Sequence, residues 1–173
     1  MDNTFGKEII PLDEELRLKA LEKYSILDNL PESYFNNLAH IMARVFRTPI
    51  ALVSLVDKES VFFKGNVGME GTTEVDRGES LCSLAILDED LTVFRDALEE
   101  PCLMNNPLVR GKFGLRFYAG APITTPEGFN IGTVCVVDKV PRDFDPLEYD
   151  LLKRFASIAM HELEMRKDLI IPV

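Results

Sequence analysis

The chain has 173 residues, 46% of them hydrophobic and 28% charged, a composition that fits one globular domain and excludes a disordered chain. The 29 acidic residues outnumber the 19 basic ones, and a formal net charge of -10 argues against nucleic acid and anionic membrane as partners. No apolar run reaches the roughly 18 residues of a membrane span, the acidic opening MDNTFGKEIIPLDEE lacks the basic lead of a signal peptide, and three widely spaced cysteines read as reduced thiols in a cytoplasmic protein.

In chain order, Leu12, Leu16, Ala20, Leu21 and Tyr24 predict a helix from after Pro11 to about Ser25. A second helix starts at Pro31, a residue suited to a first turn. Its stripe is Tyr34, Phe35, Leu38, Ile41, Met42, Val45 and Phe46, and Thr48–Pro49 stops it. The period then changes to two. Ile50–Val56 reads as a strand, and DKES turns it into VFFKG as a hairpin. Leu91–Phe94 is a short strand, and Leu115–Ala121 and Ile131–Val137 are two more, joined by TTPEGFN. The last helix has the clearest start. Asp145, Pro146 and Glu148 spell a capping box, with Phe144 and Tyr149 spaced as a hydrophobic staple. It runs to about Asp168, on the order of 35 Å, longer than one small sheet needs to cover itself.

The sheet carries apolar residues on both faces, so each face needs a covering layer. The terminal helices cover one and the irregular stretch Gly65–Val109 the other. This is an α+β fold, an α/β/α sandwich around an antiparallel sheet.

Most candidate sites have plain explanations. The acidic clusters Asp88–Asp90 and Glu99–Glu100 sit beside turn signals and read as solvated loops. Asp57 and Asp138 each end a strand, where Asp starts turns. His40 and His161 are the only histidines, and there is no C-x-x-C, H-x-x-x-H or H-E-x-x-H, so no metal is expected. Phosphate-cradling glycine motifs are absent as well. Cys82 lies near the start of a short helix, Cys102 in a loop, and Cys135 mid-strand as a small buried hydrophobe. Nothing in the sequence sets a base beside any of them. Alternation puts Arg116 and Tyr118 on one face, opposite Leu115, Phe117 and Ala119. A buried guanidinium needs a carboxylate, solvent or an anionic ligand. Among the carboxylates Asp96 is a candidate, and an internal salt bridge is the favoured reading. If Arg116 is buried in that pair, its removal costs several kcal/mol.

Beyond these local readings, several motifs occur together in a familiar order. They are YSILDNLPESYFNNLAHIMARVFRTPIALVSLVD, FFKGNVGM, RGESLCSLAI, NNPLV and RFYAGAPITTPEGFNIGTVCVVDKVPRDF, followed by the final helix. Over residues 19–167 the chain resembles the GAF domain, a small-molecule sensor module of bacterial signalling proteins, and in particular those that precede histidine kinase, GGDEF or EAL modules. The resemblance implies a GAF-like (profilin-like) fold: a five- or six-stranded antiparallel sheet, terminal helices on one face, and loops and short helices roofing a pocket on the other. Ser80 and Cys82 then belong to the roof, with Arg116 or Tyr118 on the sheet below as ligand contacts. Which ligand or cofactor binds is not specified by the resemblance. The cysteines are not followed by histidine, so no covalent bilin is expected, and the N-K…F…D-E signature of cyclic-nucleotide-binding relatives is missing.

The chain ends at Val173 with no kinase, cyclase or phosphodiesterase attached, so 1–173 reads as a single domain without its own output. Two readings stand: a ligand-sensing regulatory domain acting through a partner protein or self-association, or an interaction module without ligand. A third reading, an enzyme like free methionine sulfoxide reductase, stands behind these two: the cysteine contexts differ, the aromatic-rich lead is missing, and no base or resolving pair is placed in sequence with Cys82, so no activity on methionine sulfoxide is expected. A homodimer through the terminal helices is expected, with Met160, Leu163, Leu169 and the tail LIIPV as its apolar surface.

Overall fold

The computed structural model describes residues 1–24 and 32–169. Pro31 and the tail beyond residue 169 lie outside the described residues. In chain order come α1 (Glu14–Glu22), α2 (Ser33–Phe46), β1 (Ile50–Val56), β2 (Ser60–Val67), β3 (Glu74–Asp76), the single turn α3 (Cys82–Ala85) and β4 (Thr92–Phe94). Two 3-10 turns and the short α4 (Pro107–Arg110) follow, then β5 (Phe117–Thr124), β6 (Asn130–Asp138) and α5 (Pro146–Leu169). The strands make one six-stranded sheet in the order β3-β2-β1-β6-β5-β4, and every neighbouring pair is antiparallel.

Each sheet face has its own core. Ala51, Val53, Leu55, Phe117, Ala119 and Val136 pack against Ala20 and Leu21 of α1, Phe35 and Met42 of α2, and Leu152 and Ala159 of α5. On the opposite face Ile50, Leu52, Phe63, Tyr118, Cys135 and Val137 lie beneath Leu81, Cys82, Leu84, Ile86 and Leu103. We call this second layer the roof. The N-terminal segment also enters it: Phe5 and Ile9 are buried in the same cluster. Nothing in the sequence pattern of those first residues separates them from a loose terminus.

The capping box of α5 forms as spelled. The Asp145 carboxylate accepts from the Glu148 amide at 2.8 Å, and Glu148 accepts from the Asp145 amide at 3.1 Å. Phe144 and Tyr149 close the staple, with ring centroids 5.3 Å apart. α2 ends where Arg47 turns left-handed at φ 54°.

Three expectations need correction. Leu12, just ahead of α1, and Leu16 within it are exposed, and the buried residues of α1 are Arg17, Ala20 and Leu21. The helix turns Arg17 inward because that guanidinium caps the β1 end, donating to the Val56 carbonyl at 2.7 Å. In α5, Met160 and Leu163 are buried against the chain's own sheet and helices, so they are not an association surface. Near β5, Leu115 joins the roof cluster instead of sharing a face with Phe117. The strand starts only at Phe117, so alternation does not extend back to Leu115.

Candidate functional site

Ser54 interrupts an otherwise apolar β1, and its position alternates with Val53 and Leu55, which face the helices. It therefore points to the roof. Thr133 pairs with Ser54 across β1 and β6, and Cys135, two residues on, takes the same face. Tyr118 comes from β5 on that face too. The roof supplies Cys82, the first residue of α3, whose amide donates to the Ser80 hydroxyl at 3.2 Å.

These groups meet around one sulfur. Cys82 Sγ lies 3.1 Å from Thr133 Oγ1, 3.3 Å from Ser54 Oγ, 3.4 Å from Tyr118 Oη and 4.0 Å from Cys135 Sγ. All five residues are buried. Ser54 and Thr133 also contact each other at 2.9 Å. Each hydroxyl has one proton, so if Ser54 donates to Thr133, then Thr133 and Tyr118 donate to sulfur. The cluster is a short hydrogen-bonded network under the roof.

The donors act on acidity. The Cys135 thiol and the Thr133, Ser54 and Tyr118 hydroxyls together lower the pKa of Cys82, against burial, which raises it. The hydrogen bond with Cys82, then burial, pushes Cys135 the other way. Tyr118 is also raised, by burial first and then by the neighbouring sulfurs. The pair is thus asymmetric, with Cys82 the more acidic thiol.

A cavity of about 30 Å³ borders Ser80, Cys82, Tyr118 and Cys135, with Leu81 and Phe113 among its apolar walls. It holds water-sized molecules, well below the several hundred Å³ of a drug-sized pocket.

Gly120 makes room for this arrangement. A Cβ there would stand 2.4 Å from Tyr118 Oη and 2.8 Å from two ring atoms. The phenol lies folded along its own strand over the glycine, aimed at Cys82.

Of the four residues singled out from sequence, Ser80, Cys82 and Tyr118 come together here. Arg116 does not. It makes a two-pronged pair with Asp96, Nε to Oδ1 and Nη2 to Oδ2 both at 2.9 Å, and its side chain is 31% exposed. The cost of removing it therefore belongs with surface pairs and is small, not that of a stranded buried charge. Sequence reading missed Ser54 and Thr133 and took Cys135 for plain core. The available signal was a pair of small hydroxyl residues at roof-facing positions of two neighbouring core strands. Among the described residues no group of three or more His, Cys, Asp or Glu side chains is placed to hold a metal ion, and no helix is long and apolar enough to cross a membrane.

Comparison with known proteins gives this geometry a family. The chain is 34% identical over 153 residues to a cyclic di-GMP phosphodiesterase of Pseudomonas aeruginosa. That match takes in 87% of this chain, which spans about a quarter (26%) of the relative's length. In fold it is similar to the GAF domain of an Acinetobacter phosphoenolpyruvate-protein phosphotransferase, with a TM-score of 0.67 at 13% identity, covering 94% of this chain and 98% of that one. It is also similar to the free methionine-R-sulfoxide reductase of Neisseria meningitidis in complex with its substrate, with a TM-score of 0.66 at 17% identity, covering 90% and 93%. Residues 31–163 match the GAF domain family, a family of signalling and sensing modules, and the chain belongs to it.

Proposed function

We propose that the chain is a regulatory sensing domain whose input is the sulfur–hydroxyl cluster beneath the roof and whose output is the outer face of α2 and α5. The observation that carries this reading is the convergence of hydroxyls from β1, β5 and β6 on the Cys82 sulfur of the roof, beside a small, mostly apolar cavity that Cys82, Tyr118 and Cys135 border. A core built only for stability fills such a place with apolar side chains, because every buried polar group must find a partner. The occupant is small, or it binds by lifting the roof.

The output face is a stripe. Tyr34, Ile41 and Val45 of α2 and Leu147, Ile158 and Met165 of α5 are exposed. Their spacings of four, seven and eleven residues keep each set on one side of its helix. Tyr34 and Ile158 border a shared surface groove with Arg154 and His161. Docking of this stripe on a second copy replaces the dimer surface expected from Met160 and Leu163. The relative's name points to a cyclic-dinucleotide enzyme as the regulated partner, in the same chain or another.

Catalysis on methionine sulfoxide is not part of this reading. Cys135 does stand beside Cys82 as a second thiol, which the sequence alone did not place there. With the roof closed, the cavity of about 30 Å³ is smaller than an amino acid.

The test is a thermal melt against a panel of small polar solutes and nucleotides. At least one is expected to raise the Tm of the wild type and to lose that effect in Tyr118→Phe or Cys82→Ala. A panel with no such compound favours the pure interaction module.

A further inference from the structure

We infer that Cys82 and Cys135 are the site of a reversible, peroxide-driven disulfide that ties the roof to the sheet. This deepens, and rests on, the reading of the buried cluster as the input.

The two sulfurs are 4.0 Å apart, in van der Waals contact, with no atom between them that must leave. They come from different layers, the roof turn α3 and the central strand β6. Both border the cavity of about 30 Å³, whose size suits a molecule of two oxygen atoms. The Ser54 and Thr133 hydroxyls contact Cys82 and not Cys135, and Tyr118 reaches both sulfurs, so the two thiols are unequally served with donors. A thiolate at Cys82 has its hydrogen-bond donors in place, and the low acidity of Cys135 keeps the second thiol protonated until it is used.

The chemistry balances with hydrogen peroxide as the oxidant. The Cys82 thiolate attacks one peroxide oxygen; the S–O bond forms and the O–O bond breaks. The departing hydroxide takes up the proton the thiol lost and leaves as water, and Cys82 is a sulfenic acid. The Cys135 sulfur then attacks Cys82 sulfur. The S–S bond forms, the S–O bond breaks, and the hydroxyl leaves with the Cys135 proton as a second water. Two thiols lose two electrons in total, and one peroxide gains them. A small dithiol reverses the reaction by exchange. Bond formation brings the sulfurs from 4.0 Å to about 2.05 Å, drawing α3 toward β6 and shrinking the cavity between them.

The experiment uses the full chain in a Cys102→Ser background, because Cys102 is the partly exposed thiol. The folded protein is treated with millimolar hydrogen peroxide, alkylated, and mapped by mass spectrometry with and without dithiothreitol. The expected result is a chain lighter by two hydrogens, a linked Cys82–Cys135 peptide pair, and full recovery on reduction. In Cys135→Ser a dimedone adduct is expected on Cys82, and in Tyr118→Phe the disulfide is expected to form about tenfold more slowly, as for a loss of one unit of thiol acidity. Oxidation of Cys82 to sulfinic acid with no linked pair in the Cys102→Ser chain, or two thiols that stay alkylatable throughout, overturns the inference. These mapping results need no substituted cluster residue, so misfolded variants do not blur them. A solute that still raises Tm through Tyr118 while no disulfide forms sinks the redox inference and leaves the sensing domain standing. A disulfide that forms without any change in self-association upholds the redox inference and removes the proposed output.

Discussion

Glu14→Ala is expected to lower stability by about 3–5 kcal/mol, the usual cost of stranding buried charges. Glu14 holds two buried guanidiniums at once. Its carboxylate is 2.8 Å from Arg17 Nη2 and 2.6 Å from Arg77 Nη1, and those arginines are 1% and 0% exposed. Arg17 also caps the Val56 carbonyl, and Arg77 the carbonyls of Asp57 and Lys58 at 3.1 and 3.2 Å. The network therefore pins α1 to the β1–β2 turn and to the chain entering the roof. Burial pushes the Glu14 pKa up, but the hydrogen bonds and charges of Arg77 and Arg17 outweigh it and hold it at about 2, against an ordinary 4.5. A depressed folded pKa means that the stabilisation is fully present above pH 4.5 and is lost as pH falls through 2, about 3 kcal/mol in all. Urea melts of wild type and Glu14→Gln between pH 7 and pH 2 test this. The gap between the two is expected to narrow across that acid window. A gap that stays constant with pH contradicts the assignment.

Gly120→Ala has the next largest expected effect, about 1–3 kcal/mol for overpacking. The new Cβ overlaps the Tyr118 phenol at 2.4 Å, and the ring must leave the cluster. Cys82 then loses one of its donors, so its reactivity toward a small alkylating agent should move to higher pH. The collision has a single cause, which makes it checkable. In a Tyr118→Ala background the glycine substitution should cost little, and the double-mutant cycle should show strong coupling. Additive costs would mean that Tyr118 is not what the glycine accommodates.

The sheet and its helices were legible in the sequence because they rest on periodicity and local caps. Asp145 and Glu148 wrote the start of α5, and the apolar, β-branched run of β1 marked a strand buried on both faces. The roof was less legible. Its elements are single turns, and its order comes from contacts between distant residues, such as Cys82 of the roof with Thr133 and Cys135 of the sheet. The same limit explains Arg17. Helical spacing marks a charged residue as solvent-facing, and only the tertiary network with Glu14 and Val56 makes its burial favourable. Met160 and Leu163 read as surplus apolar surface because the sequence does not say how far along α5 the sheet and its companions reach.

The central claim is that the buried cluster controls the helical output face, and sedimentation velocity tests it most directly. The wild type and Tyr118→Phe would be compared over a range of concentrations, with Ile41→Asp and Ile158→Asp as variants of the face itself. The account predicts a monomer–dimer equilibrium that both aspartate variants abolish and that Tyr118→Phe shifts, although Tyr118 lies on the far side of the sheet from that face. An equilibrium identical in wild type and Tyr118→Phe, or a dimer that survives both aspartate substitutions, would contradict it.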